Sequence, residues 1–357
     1  MNLNLQWFKL FFNNNPLIEY LVTNFTMTQL DRSAIVWSIG IVAIAIAISF
    51  YNPNLQQASD QIVVNSHVLK NEIFFTLQGD DSVGNIRGEI FDAGPKMTYI
   101  SASSDGELIL ATSSASDTVF AFDKQGNNLA SIKVGKTPKG VKIHPFEDIA
   151  FVANENSGSI SVIDTRTFQV TKEIPVGKIP HNLRFSPDGN TAYVTLQGGD
   201  AVIVIDVNLL LVTDSISVEK LPHNLDITPD GKYLFTANIG TSDVAVIDLN
   251  TNEIIKRISV STGHHGIDVS PDGKRMYVSG IGSNLVNVID VKSLKLIKTI
   301  PVGDGPHGLR TSLDNSLLYV GVTGTNEIVI IDTQSLTIQE HIPVGHVPFW
   351  IASKGNP

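Results

Sequence analysis

A valine recurs every 42 residues along most of this chain, at Val134, Val176, Val218, Val260, Val302 and Val344. An aspartate preceded by isoleucine keeps the same step, at Asp164, Asp206, Asp248, Asp290 and Asp332. Two markers in one phase describe an array of equivalent units, each too small to bury both its faces alone, so the units must pack on one another. One unit reads HNLRFS, PDG, TAYVTLQ, GGD, AVIVIDV and, after a short turn, LVTDSISV. Its four runs are short and rich in Val, Ile, Tyr and Thr, the composition of strands. Pro187-Asp188-Gly189, Pro229-Asp230-Gly231 and Pro271-Asp272-Gly273 read as hairpin turns: Pro presets φ, Asp bonds the turn backbone and Gly accepts positive φ. The Ile-Asp pairs are expected to brace the turn between the third and fourth strands of each unit.

Four-stranded units at this period predict an all-β fold, a β-propeller. Residues 61–357, taken 42 at a time, make about seven blades. The chain end supplies only a first strand, HVPFWIAS, after Val344. Residues 73–81 (IFFTLQGDD) parallel residues 192–200 (AYVTLQGGD), a second strand and its turn. The expectation is therefore a seven-bladed propeller over residues 71–357 whose last blade is a composite of both ends, an arrangement that leaves no free sheet edge. That composite looks several residues short.

Upstream, residues 34–51 (AIVWSIGIVAIAIAISFY) run 18 positions without a charge, close to the ~20 that cross a bilayer as a helix. Arg32 abuts the upstream end and the next basic residue downstream is Lys70, so the positive-inside rule places the N-terminus in the cytoplasm. The expected plan is a cytoplasmic segment over 1–33, with Met27 as an alternative start, a transmembrane signal anchor over 34–51 and a linker over 52–70. The propeller would then face the extracytoplasmic side, tethered to the membrane. A cleavage pattern at Ala45-Ile46-Ala47, which would make the protein secreted, falls inside the apolar run and favours a retained anchor. With 25 Lys and Arg against 35 Asp and Glu, the net charge of −10 has the wrong sign for nucleic acid. The absence of cysteine excludes disulfides, redox pairs and thiolate metal sites.

Tyr193-Val194-Thr195, Tyr277-Val278-Ser279 and Phe151-Val152-Ala153-Asn154, with the SPDG turns and the PVG and PH(G/N) loops, resemble the YVTN-type β-propeller repeat. The likeness covers roughly residues 73–353. It implies a propeller of the lactonase-like or surface-layer type, a group that includes exported binding proteins. The fold is also similar to the histidine-rich propeller of nitrous oxide reductase, although no cysteine-bearing copper domain accompanies it here.

Two sets of in-phase residues are candidates for function. His181, His223, His265 and His307 stand 42 apart at the start of the innermost strand of four successive blades, with Thr98, Lys139 and Phe349 at the equivalent places elsewhere. Imidazoles so placed suit copper or zinc. The competing reading is structural packing, because Leu183, Leu225, Ile267 and Leu309 lie two residues on and strand parity puts both on the blade-packing face. Three positions after the histidines the other parity is charged: Lys142, Arg184, Asp226, Asp268 and Arg310. These, with Lys139, are the expected channel-lining ligand-binding set, solvated and paired across blades as Arg184 with Asp226 and Asp268 with Arg310. Gly303-Asp304-Gly305-Pro306-His307-Gly308 fits GxGxxG but leads into a strand, and no HExxH, GxSxG or EF-hand pattern occurs. The function expected is non-catalytic binding of an extracytoplasmic protein, glycan or small ligand. The alternatives are a copper- or zinc-binding or redox accessory protein and a lactonase-like hydrolase.

Overall fold

The computed structural model describes residues 70–218 and 220–355, and in it the repeats fold as seven four-stranded antiparallel sheets with no α-helix. The expected span at 34–51 and its linker lie outside the described residues, and among those described no helix is long and apolar enough to cross a membrane. The innermost strands are Met97–Ala102, Pro138–Ile143, Pro180–Phe185, Pro222–Ile227, His264–Val269, Pro306–Thr311 and Pro348–Ser353. Each contacts the next, and the last contacts the first, so the blades close into a ring about a central channel.

The core lies between blades, as the repeat logic requires. Phe151 and Val162 of the second blade, for example, pack with Leu183 and Val194 of the third. The small hydroxyl of the Tyr-Val-Thr motif stitches this seam. Thr195 Oγ1 accepts from Asn182 N at 3.1 Å in its own blade and donates to His223 O of the next at 2.8 Å. Thr76 to Thr98 O and Thr112 to Lys139 O repeat the bond at 2.7 and 2.9 Å. The turns use the expected chemistry: Asp188 Oδ1 accepts Asn190 N at 3.1 Å beside Gly189 at φ 78°. Asp164 Oδ1 accepts the Arg166 and Thr167 amides at 2.9 and 2.8 Å in a turn between third and fourth strands.

The seventh blade is the composite. Its strands run Pro348–Ser353, Ile73–Leu77, Ser82–Asn85 and Ile90–Asp92, with Ile73 opposite Ser353 and Phe75 opposite Ile351. The outer two have four and three residues where the third blade has six and seven, the shortfall visible in the repeat. Outside the ladder, Gln78 N donates to Val347 O and Lys354 N to Glu72 O, both at 3.0 Å. Asp80 adds a clasp, accepting from His346 N and lying 2.7 Å from His346 Nδ1.

Candidate functional site in the central channel

The seven innermost strands start at one mouth of the channel and run to the other, so residues at equal phase form layers. In the first layer the rings of His181, His223, His265, His307 and Phe349 touch in succession, with centroids 3.9, 4.5, 4.7 and 3.9 Å apart. Tyr99, from the innermost strand of the first blade, reaches across to finish the circle. Its hydroxyl lies 2.8 Å from His181 Nε2 in the third blade, and its ring meets Phe349 and Trp350 of the seventh at 6.0 and 4.5 Å. Contact with blades on both sides is possible only across the axis, so the histidines face the channel.

That corrects the parity expectation, and the reason is local. In these strands the pairing register shifts just after the start, between Pro180 and Leu183, Pro222 and Asn224, His264 and Ile267, and Pro306 and Leu309. A bulge places an extra residue in one strand and re-aims its side chains. The leucines stay in the blade seams while the imidazoles turn inward. The bulge also puts the following residue in the crowded centre, where Gly266 and Gly308 are obligatory: a Cβ there would lie 2.4 Å from His307 O and 2.7 Å from Phe349 O.

This end of the channel is packed shut. Tyr99 and Trp350 are each 2% exposed, and His181, His223 and His307 are buried. Asn224 holds the layer together: its amide oxygen accepts from Asn182 Nδ2 at 2.6 Å, and its NH2 donates to His265 O. The same NH2 lies 2.8 Å from His223 Nδ1, which must therefore present its lone pair. Burial, then the neighbouring imidazoles, push His223 well below the ordinary histidine value; burial does the same to His307, whose Nδ1 lies 2.9 Å from Phe349 O. His181 is lowered less, by burial against the pull of Glu155. Its Nδ1 stands 3.5 Å from Glu155 Oε1, an ion-pair separation without hydrogen-bond geometry, and Lys139 Nζ is 3.5 Å from the other Glu155 oxygen. Burial raises Glu155, but His181 and Lys139 outweigh it and hold the carboxyl low. The rings meet tilted, at interplanar angles of 38° and 53° for the first two pairs, and among the described residues no three His, Asp or Glu side chains are grouped to hold a metal ion.

Three residues beyond the histidines lies the charged layer. Arg184 Nε pairs with Asp226 Oδ1 at 2.9 Å, and Arg310 NH1 with Asp268 Oδ1 at 2.6 Å. The second oxygen of each carboxylate accepts the amide of the next innermost strand, Val269 N on Asp226 at 2.8 Å and Thr311 N on Asp268 at 2.7 Å. The pairs form as the spacing suggested, but in place of a solvated lining the groups are buried: Asp268 and Arg310 are 0% exposed and Lys142 is 3% exposed. Burial raises Asp268, pulls Arg184 down to about 10 with help from Arg310, and holds Lys142 far below an ordinary lysine, with Arg184 and Arg310 adding to the effect.

Beyond this layer the channel opens at its turn end into a cavity of about 350 Å³. Its floor is Arg184 and Asp226, and its walls include Ile143, Phe185, Ile227, Val269 and Leu313. Tyr99, Trp350, Asn182, Asn224 and Glu155 escaped the sequence reading. The first four sit one position after the histidine phase, where the other three blades have glycine, and that mixture of large and absent side chains at one phase is the signal that could have revealed them.

Residues 91–255 match the family model described as lactonase, 7-bladed beta-propeller, and residues 226–317 match the YNCE-like beta-propeller. The chain is a seven-bladed propeller with repeats of that kind. Among solved structures, the propeller is similar to Kuenenia stuttgartiensis hydrazine synthase, with a TM-score of 0.68 and 24% identity over 72% of this chain and 90% of that one. It is also similar to a functionally unknown protein from Desulfotomaculum acetoxidans, with a TM-score of 0.69 and 18% identity over 79% and 98% of the two chains. At such identities the likeness establishes the fold alone. No curated protein matches the propeller.

Proposed function

We propose that the protein is a non-catalytic binding propeller, held at the outer face of a membrane by residues 34–51, that takes a small ligand at the turn end of its channel. The observation that carries this reading is the cavity of about 350 Å³ with an ion-paired floor and apolar walls. Small-molecule sites are concave, largely apolar and furnished with a few placed polar groups, in volumes from about 300 Å³ upward. Binding is favoured over turnover because both oxygens of Asp226 and of Asp268 are engaged by arginine or backbone amides, which leaves neither poised as a general base. The lactonase alternative rests on the family description over residues 91–255. The metal alternative rests on the histidine layer, whose rings are tied to one another and to Tyr99 and Asn224.

The test is a thermal-shift screen of small organic acids, alcohols and sugars on the wild-type chain and on Leu313→Trp. Leu313 lines the cavity and is 54% exposed, so a bulky replacement obstructs the site without disturbing the ring. Compounds that raise the wild-type midpoint and leave the variant unmoved support the reading. Equal shifts in both proteins, or none in either, overturn it.

A further inference from the structure

The charged layer does not balance. It holds three basic side chains, Lys142, Arg184 and Arg310, against two carboxylates, Asp226 and Asp268, so it carries one surplus positive charge whenever Lys142 is protonated. The remaining two blades put Ser101 and Ala352 at this level, which add no charge. Both carboxylates are consumed by the arginines and by backbone amides. Among the described residues the Lys142 side chain has no hydrogen-bond or ion-pair partner; the residue is 3% exposed, and its Nζ keeps a small contact with solvent. A buried cation without a partner is among the costliest arrangements a protein can hold. An evolved site of this sort is either relieved by loss of the proton or completed by an anion from outside.

The cavity adjoins the charged layer at Arg184 and Asp226, with Lys142 just behind its lining. Arg184 and Asp226 form its floor, and Ile143, the residue after Lys142, is part of its wall. We propose that this cavity binds a molecule with an apolar body and a single carboxylate, the carboxylate entering beside Lys142 to bring the layer to neutrality. The apolar body lies against Phe185, Ile227, Val269 and Leu313. One surplus cation calls for a monoanion; a neutral molecule leaves the charge uncompensated, and a dianion reverses its sign. The depressed proton affinity of Lys142, caused by burial and by Arg184 and Arg310, is that of a group lacking its counter-ion. The inference rests on the cavity being the ligand site and adds the chemistry of the ligand.

Octanoate and 1-octanol have the same chain length and differ in charge, so they separate the two claims. Isothermal titration of the full chain with each, at neutral pH, is expected to show octanoate binding at least tenfold tighter than octanol. Lys142→Met is expected to bring the two within about twofold of each other while keeping a wild-type thermal midpoint or a higher one, since an apolar side chain replaces a lone buried cation. Lys142→Gln serves the same purpose should the methionine variant fail to fold. Equal affinities in the wild-type chain overturn the carboxylate inference and leave the cavity reading standing. Binding of neither probe overturns this inference, while the cavity reading stands or falls on the thermal-shift screen.

Discussion

Acid should weaken this propeller through its histidine layer. His223 and His307 are buried, their proton affinity is pushed well below the ordinary value, and His223 Nδ1 is obliged to accept from Asn224. A folded-state pKa below the unfolded one means that the unfolded chain takes up the proton first. Stability present above pH ~6.5 is therefore lost as the pH falls below it. At pH 5.5, one unit below that reference, each imidazole kept neutral by folding costs about 1.4 kcal/mol, so the pair costs about 3 kcal/mol relative to pH 7.5. Lys142 is depressed in the same direction, and wild-type behaviour alone would mix the two sources. His223→Phe separates them. Phe349 already occupies the equivalent place in the ring stack, so a phenyl group fits the layer. Urea unfolding at pH 7.5 and 5.5 should show the variant losing about 1.4 kcal/mol less than the parent between the two. Equal acid losses in the two proteins would refute the claim that His223 is held neutral.

Two other outcomes follow from the ends of the chain. Deleting residues 346–357 removes the innermost strand of the seventh blade together with the His346 partner of Asp80, so unfolding should become broad and start tens of degrees lower in a calorimetric scan; a truncated chain with the parent's midpoint and sharpness would contradict the shared blade. If residues 34–51 span a membrane with Arg32 inside, protease added to intact cells should digest the propeller and spare an N-terminal tag, and the opposite protection pattern would reverse the topology.

The architecture was legible because a 42-residue step leaves little freedom: it is encoded by turn residues and hydrophobic alternation, both local and both repeated. Even the composite blade could be read, since residues 73–81 copy residues 192–200. The ion pairs were legible for a related reason, as opposite charges at one phase on adjacent blades can only meet. The channel itself was misjudged in two ways, each traceable to geometry that sequence phase does not carry. A bulge after Pro180, Pro222 and Pro306 breaks the two-residue parity on which the facing of His181, His223 and His307 was argued. The expectation of a solvated lining fails because it treats the seven equivalent positions one layer at a time. Tyr99 and Trp350 belong to a layer whose other members are Gly140, Gly266 and Gly308 beside Asn182 and Asn224. Three absent side chains make room for two very large ones, which cross the axis and close the histidine mouth. Closure at that end is what leaves the turn end as the open cavity of the channel. On the proposed reading, a ligand entering there would meet the Arg184–Asp226 floor first, with the imbalance of charge in the same layer.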